Sequence, residues 1–429
     1  MRWLAWSGQR NAALAQFERC RQLLTEALEV EPLPETLALY EQIRTGKFGQ
    51  AGDEAFRLQT NGRHASTDSP LASPLLPCPY HGLSFFHEED TIFFFGREIF
   101  TRRLVEAVHK QSLVAVIGPS GSGKSSVVFA GLLPFLRREP NLWLIADFRP
   151  GRHPFQALAA ALLSLLAPSH RQPPPPTDIH ALAEQLDQGQ VSLVELVGRI
   201  RSDNPRAGPI LLVADQFEEL FTLCPQTEVR QQFMTLLLET SQLPPSQFCL
   251  LFTLRADFLG QALVERPWSD ALQNADLKLG PMTRSELSQA IEHPAQRQGV
   301  IFETGLVERI LDNVGSEPGN LPLLEFALTL LWSHQTEGRL THVAYETIGR
   351  ATGALARYAD EIYHQLQPTD QERARQIFIQ LVQPGTGPEG TRRVADRPEI
   401  GEGNWPLVQR LADARLIVTN QGVEGQETA

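Results

Sequence analysis

The sequence predicts an α/β fold, a parallel sheet layered between helices, with an all-helical block behind it. Three observations carry this reading. Leu113–Ile117 is an apolar run that feeds a glycine-rich loop and then an apolar-faced helix. Ile210–Ala214 is a second apolar run that ends in acid, as a buried parallel strand does when its carboxyl end lines a site. Past residue 280 the strand-like runs stop and helical spacing dominates to Val418, so an α/β block precedes a helical one.

Taken in order, residues 8–30 have helical spacing, with Ala13, Phe17, Leu24 and Leu28 recurring on one side after Gly8. The spacing matches half of a tetratricopeptide unit, but a solenoid needs about three units to bury a core. A second short helix follows the Glu31-Pro32 break, around Glu35 to Arg44. Residues 49–79 exchange periodic apolar residues for Gly, Ser, Thr, Asn and Pro, and read as a linker. Strand candidates then follow at Leu113–Ile117, Leu142–Asp147, Ile210–Asp215, Phe248–Leu254 and Leu277–Leu279. Helical stretches lie around Phe155–Leu166 and Ile179–Ile200, and the Pro173–Pro176 run reads as a surface loop. Thr283-x-x-Glu286 is a capping box that starts a helix carrying Leu287 and Ile291.

Lys plus Arg number 38 and Asp plus Glu 50, a net charge of −12, which argues against coating nucleic acid through a pervasive positive surface. Hydrophobic residues at 42% and charged residues at 21% are ordinary globular usage, enough for large cores. No apolar run approaches the roughly 18 residues of a membrane span. The start, MRWLAWSGQR, has neither the basic region nor the apolar core of a signal peptide. Cys20, Cys78, Cys224 and Cys249 lie far apart, with no CxxC and no flanking His pair. A zinc site or disulfide framework is not expected, and a reducing cytoplasm is.

The strongest motif is Gly118-Pro119-Ser120-Gly121-Ser122-Gly123-Lys124-Ser125-Ser126, which satisfies G-x-x-x-x-G-K-[ST] between an apolar strand and a helix. The chemistry needs these residue types. Gly118, Gly121 and Gly123 let the backbone fold back so that successive N–H groups point at phosphate oxygens, at the positive end of the next helix. Lys124, expected as a solvent-facing ligand, sets a point charge on the β- and γ-phosphates, and Ser125 offers a hydroxyl to Mg²⁺. The chain is expected to bind a nucleoside tri- or diphosphate.

Asp215, at the end of the acidic strand, would hold Mg²⁺ through water or through Ser125. Glu218 and Glu219 are placed to orient an attacking water or to bond the next strand; their plain alternative is the start of a solvated helix. Leu142–Asp147 intervenes between the phosphate loop and the acidic strand, so the expected sheet has an extra strand between the two. Arg255, at the tip of Phe248–Leu254, is a candidate sensor of the γ-phosphate. Its alternative is a pair with Asp257 in a surface turn.

These motifs resemble the STAND signalling NTPases, in particular the novel bacterial STAND group often joined to WD-repeat propellers. Phe93-Phe-Phe-Gly96-Arg97-Glu98 is similar to the family's F-x-G-R-E entry motif, which in relatives lies against the adenine. Asp215-x-x-Glu218-Glu219 is similar to its extended Mg²⁺ strand, Arg255 to its sensor arginine, and Gly319-Asn-Leu-Pro322 to the G-x-P motif of its helical lid. The resemblance covers about residues 79–420. It implies a P-loop NTPase three-layer α/β/α sandwich over 80–280, a lid over 281–340 and a winged-helix-like segment over 341–429. Residues 1–48 resemble the end of a bacterial transcriptional activator domain, without its usual helix-turn-helix partner. Trp405 to Val418 would be the third winged helix running into a strand; with Asp413 beside its arginines it lacks a dense basic face, so direct nucleic-acid binding is not expected. Propeller-like repeats are not read, which leaves a lost sensor domain or a fragment of a longer reading frame.

The resemblance implies an ATP/ADP-controlled switch with slow Mg²⁺-dependent hydrolysis, self-association on binding ATP and a protein effector that the sequence does not name. Two alternatives stand beside it: a transcription regulator whose winged helix binds DNA, and a fast AAA-type motor. Pro322 falls in the first turn of an apolar helix, Leu321 to Trp332, behind Gly319 and Asn320 as entry turn and N-cap. A rigid ring there would meet adenine or ribose; its plain alternative is a core helix start.

Overall fold

Strands β1 (Leu113–Gly118), β2 (Leu144–Phe148), β3 (Ile210–Ala214), β4 (Phe248–Arg255) and β5 (Asp276–Lys278) form one parallel sheet in the computed structural model, in the order β2-β3-β4-β1-β5. β4 lies between the phosphate-loop strand and the acidic strand, so the two motifs do not sit on neighbouring strands. The structure describes Arg21, Tyr40 and residues 77–428, apart from 141, 167–173, 206, 315–319, 384–390, 393–394, 396, 415, 418–419 and 422–426. The chain divides into two units, Met1–Leu75 and Leu76–Ala429, and the sheet with all its helices belongs to the second. Apart from Arg21 and Tyr40, the helices expected over 8–30 and 35–44 lie outside the described residues, as do all but the end of the 49–79 linker, Gly319 and Val418.

Strand residues alternate between two cores, as the period of two in a pleated strand requires. Leu113, Ala115 and Ile117, with Leu212 and Phe252, face the helices Pro154–Leu166, Pro176–Asp187 and Thr227–Thr240. Val114 and Val116, with Leu211, Val213 and Leu251, face the helix Glu98–Lys110 and the phosphate-loop helix that spans 124–137. Both faces are covered, which is why the strands read as unbroken apolar runs. A third core forms in the helical block, from Ile291, Leu306, Ile310, Leu324, Leu328 and Trp332. Tyr80 reaches into it from the chain entry, its hydroxyl donating to the Ile291 carbonyl at 2.5 Å. A fourth, around Ile377, Trp405, Val408 and Leu411, holds the last helices together.

Several sequence expectations are corrected. The stretch Ile179–Ile200 is two helices, Pro176–Asp187 and Leu193–Asp203. The break is at Gly189, in the left-handed region at φ 65°, and Ser192 with Glu195 caps the restart. Pro176 belongs to a helix rather than to a loop, at the first turn where a missing N–H costs nothing. Strands do not stop at residue 280. Ile301–Phe302 pairs with Arg339–Leu340, Val382–Gln383 with Thr391–Arg392, and Asn420–Gln421 with Glu427–Thr428. Pairs of two residues are too short to leave a periodic signal. The Thr283 capping box forms as read: Thr283 Oγ1 accepts from Glu286 N–H at 3.3 Å, and Glu286 Oε2 accepts from Thr283 N–H at 2.7 Å.

That box starts the helix Arg284–Arg297, which abuts the entry motif backbone to backbone. At Gly96, with φ 82°, a Cβ would lie 2.4 Å from the Glu286 carbonyl oxygen. Both the dihedral and the approach exclude a side chain. Gly96→Ala is expected to destabilise the fold by about 1–3 kcal/mol, read as a lower urea midpoint with an unchanged slope. An unchanged midpoint would mean that this contact is dispensable.

Candidate functional site

The loop after β1 is shaped by steric exclusion. Gly121 and Gly123 hold φ of 70° and 88° and so turn the backbone back. Gly118 works differently: its φ is ordinary, but a Cβ would lie 2.6 Å from the Leu279 carbonyl oxygen and 2.8 Å from Ser122 Oγ. Lys124 departs from its expected solvent-facing position. It is 9% exposed, and its ammonium donates to the carbonyls of Gly118 (3.0 Å) and Pro119 (2.8 Å). An ammonium on a flexible stem takes whichever oxygens are nearest, and here those belong to the loop. Burial lowers its pKa, partly offset by Glu218. The helix it opens is α-helical over Lys124–Ser126, π-helical over Val127–Leu132 and α-helical again over Leu133–Arg137. Ser126 Oγ accepts from the Phe86 N–H at 3.2 Å and ties the entry segment to this helix.

Asp215 follows β3 and is 1% exposed. Its Oδ1 accepts from Ser125 Oγ and from Thr253 Oγ1, each at 2.8 Å, and its Oδ2 from Arg149 Nε at 3.3 Å. Gln216 then takes a left-handed φ of 53°, held by its N–H on Thr253 Oγ1 at 2.8 Å. This strained turn brings Glu218 back to β4, where Oε2 accepts from the Arg255 N–H at 3.2 Å. Glu218 thus bonds the next strand through Oε2, and Oε1 takes no part in that bond. Burial pushes its carboxyl above the ordinary value, against the pull of backbone N–H groups and Lys124. Glu219 opens the short helix Glu219–Thr222. The Arg255 guanidinium pairs with Asp257 at 3.1 and 2.7 Å and lies 5.3 Å from the Phe258 ring centre.

One cavity of about 1890 Å³ is lined by Arg97, Ser120–Ser126, Asp215, Glu218, Glu219, Arg255 and Pro322. Gly96, Gly118 and Pro119 are not in its walls and act behind it. Arg97 is buried, donating through Nη2 to the carbonyls of Ser122 (3.1 Å) and Gly280 (2.9 Å), so it braces the loop from beneath. Burial lowers its pKa. Arg97 Nε and Ser122 Oγ are buried without a protein partner among the described residues. The helical block closes the cavity with Leu321, Pro322 and Glu325 of the helix Asn320–Ser333. Asn320 lies inside that helix, not before it, and its side chain donates to the Val314 carbonyl at 2.6 Å instead of capping. Pro322 remains in the first turn, where its missing N–H is tolerated.

Donor chemistry decides whether the residues suit Mg²⁺. A hydroxyl and a carboxylate 2.8 Å apart are hard oxygen donors of the right kind. No cluster of three or more His, Cys, Asp or Glu suited to a metal occurs among the described residues. The remaining positions would fall to phosphate oxygens and water, the usual case for Mg²⁺. The residues fit the ion.

Sequence reasoning missed three lining or bracing residues. Thr253 left a signal, a hydroxyl inside an otherwise apolar buried strand. Arg149 and Glu325 left weaker ones, a cation just past β2 and an acid in an apolar helix. Glu325 is 8% exposed, and its Oε2 accepts from the His81 N–H at 3.4 Å. Burial pushes its carboxyl up to about 8. A pKa raised on folding favours the protonated form, so this stability is full below about pH 4.5 and is lost as pH rises to about 8. Glu325→Gln keeps an acceptor for His81 and removes the titration. It is expected to match wild type at pH 4.5 and to exceed it by up to about 4 kcal/mol at pH 8, measured by urea unfolding. Parallel pH profiles would place the group in water.

Against known proteins, residues 79–427 match the family model described as Novel STAND NTPase 1, and residues 1–44 match the Bacterial transcriptional activator domain. No curated protein matches the sequence. Solved structures with a similar chain path include the ORC1 protein of Aeropyrum pernix in complex with DNA, at 17% identity and a TM-score of 0.44, covering 78% of this chain and 88% of that one. A Walker-type ATPase of Pyrococcus abyssi is 13% identical with a TM-score of 0.42, covering 80% and 94%. Drosophila ORC bound to DNA is 14% identical with a TM-score of 0.41, covering 90% and 96%. The family match spans most of the chain and includes the phosphate loop, the acidic strand and the helix Asn320–Ser333: the chain belongs to the Novel STAND NTPase 1 family.

Proposed function

We propose that this NTPase is an ATP-binding molecular switch with slow, Mg²⁺-dependent hydrolysis. The observation that carries the reading is the 2.8 Å bond from Ser125 Oγ to Asp215, which joins the phosphate loop to the acidic strand inside a cavity also walled by Leu321 and Pro322. On this reading 80–280 is the NTPase core, 281–340 the lid and 341–429 a winged-helix-like segment. Glu399, from the short helix Arg397–Ile400, lines the same cavity, which supports a role for that last segment in closure.

The residues divide the work by charge. Loop N–H groups and the start of the 124–137 helix receive the phosphates. Lys124 leaves the Gly118 and Pro119 carbonyls for the β- and γ-phosphates, a stronger acceptor set for an ammonium. Ser125 and Asp215 would hold Mg²⁺, which would supply positive charge against the phosphates. Glu218 orients water with Oε1, Oε2 being held by the Arg255 N–H, an arrangement that supports slow turnover. Arg255 leaves Asp257 only for a nearby anion, which ATP supplies with its γ-phosphate and ADP does not. A switch needs that difference, because a ligand with equal affinity for two states shifts nothing. Self-association in the ATP form and a protein effector complete the proposal.

Lys124→Ala should reduce ATP and ADP affinity at least about 100-fold by calorimetric titration, since the charge on both phosphates is lost. It should also lower stability by about 1 kcal/mol, because two loop carbonyls lose their donor. Retained binding would move the site elsewhere.

Arg255→Ala should bring the ATP and ADP affinities together within about threefold while leaving ADP affinity unchanged. If the variant keeps the wild-type ATP/ADP ratio, Arg255 belongs to its surface turn with Asp257. In the same preparations, a turnover of many per second would favour a motor over a switch.

A further inference from the structure

We propose that Arg149 is a mobile arginine of this site, which gives up Asp215 to a divalent cation and moves to the terminal phosphate of the nucleotide. The proposal rests on the nucleotide-binding reading and adds a residue that reading does not use. Arg149 follows β2, whose last residue, Phe148, pairs with Ala214 at the end of β3. The ladder continues one step, Asp215 N–H donating to the Phe148 carbonyl at 2.9 Å, so the backbone fixes Arg149 beside Asp215. Both Nε and Nη2 lie 3.3 Å from the same oxygen, Oδ2. The other oxygen already accepts two hydroxyl protons, from Ser125 and Thr253. Oδ2 is therefore the oxygen with capacity for a divalent cation, and it is the one that carries the guanidinium. Two cations on one oxygen repel, and the divalent one prevails.

The side chain has both the freedom and the track to move. It is 36% exposed, whereas its partner's side chain is buried. Its guanidinium carbon lies 5.6 Å from the centre of the Phe85 ring, a face that favours a cation without fixing its direction. Arg149 and the Ser120–Ser126 loop line one cavity, so a phosphate seated on that loop is within the space open to the guanidinium. Planar, bidentate donation suits a phosphate as well as a carboxylate. Asp147 also lines the cavity and is the competing destination.

Manganese binding to the nucleotide-free full-length chain, followed by electron paramagnetic resonance, reads the first half of the exchange. Calorimetric titration with ATP and ADP in Mg²⁺ reads the second. Arg149→Ala should bind Mn²⁺ about tenfold more tightly, because the competing charge is gone, and its ATP/ADP affinity ratio should fall about tenfold. Arg149→Lys, which keeps the charge, should restore the weaker Mn²⁺ binding. Should the alanine variant not fold, Arg149→Gln makes the same two predictions. If Arg149 only props Asp215 in place, its loss weakens Mn²⁺ binding and lowers both nucleotide affinities equally, which overturns the proposal. An unchanged ATP/ADP ratio with tighter Mn²⁺ sends the released arginine to Asp147 and overturns the phosphate step. Wild-type protein that binds neither nucleotide overturns the reading of the whole site, a result distinct from a silent Arg149 variant.

Discussion

A carboxylate at 1% exposure has to be compensated, and the compensation of Asp215 organises the site. An uncompensated carboxylate in the interior costs several kcal/mol. Its donors come from three separate elements: Ser125 from the phosphate-loop helix, Thr253 from β4 and Arg149 from the end of β2. The strand order explains why all three arrive. β3 lies between β2 and β4, which places Arg149 and Thr253 on either side of Asp215, while the loop after β1 reaches across β4. Thr253 has a further duty, since its oxygen also accepts from the Gln216 N–H and so supports the turn that sets Glu218. Changing the acid would therefore disturb four strand ends together.

A common pattern runs through the cations of the cavity. Lys124 is on loop carbonyls, Arg255 on Asp257 and Arg149 on Asp215. Each has a protein oxygen that a phosphate would have to outcompete. On the proposed reading a polyanion binds by exchanging these partners, so the number of phosphates sets how many exchanges occur. That is a physical route by which a single phosphate group can alter the relative energies of two arrangements.

The sheet was legible because both of its faces are buried: β1, β3 and β4 are continuous apolar runs, and continuous runs between turns mark parallel strands. The loop was legible because its backbone tolerates few residue types. What stayed hidden is pairwise. Nothing in the local sequence places Arg149 on Asp215, since the pair depends on two strands 66 positions apart lying side by side. Lys124 was misplaced for the opposite reason. Its role is written in the motif, but the carbonyls it meets are set by the loop's three-dimensional path. The split of Ile179–Ile200 was missed at Gly189, where an isolated glycine in an apolar helical pattern can be either tolerated or a break. Ser192 and Glu195, three positions apart, were the readable clue.

The chain entry ties these parts into one mechanical unit. Tyr80 is anchored in the core of the helical block through the Ile291 carbonyl, and His81 donates to Glu325 of the helix that carries Pro322. Five residues later Phe86 donates to Ser126 at the start of the phosphate-loop helix. Gly96 then touches the helix Arg284–Arg297, and Arg97 bonds both Ser122 in the loop and Gly280 at the start of the helical block. A segment of fewer than twenty residues thus contacts the helical block and the phosphate loop alternately. Displacing the Asn320–Ser333 helix without disturbing the loop would require breaking the His81 or the Phe86 bond, each worth about 1 kcal/mol. Keeping both would instead carry the displacement into Ser126, and from there to the neighbouring Ser125 and its carboxylate. The entry segment is consequently one path, made of backbone and two hydrogen bonds, from the helix Asn320–Ser333 to Ser126 and so to the neighbouring Ser125 and Asp215.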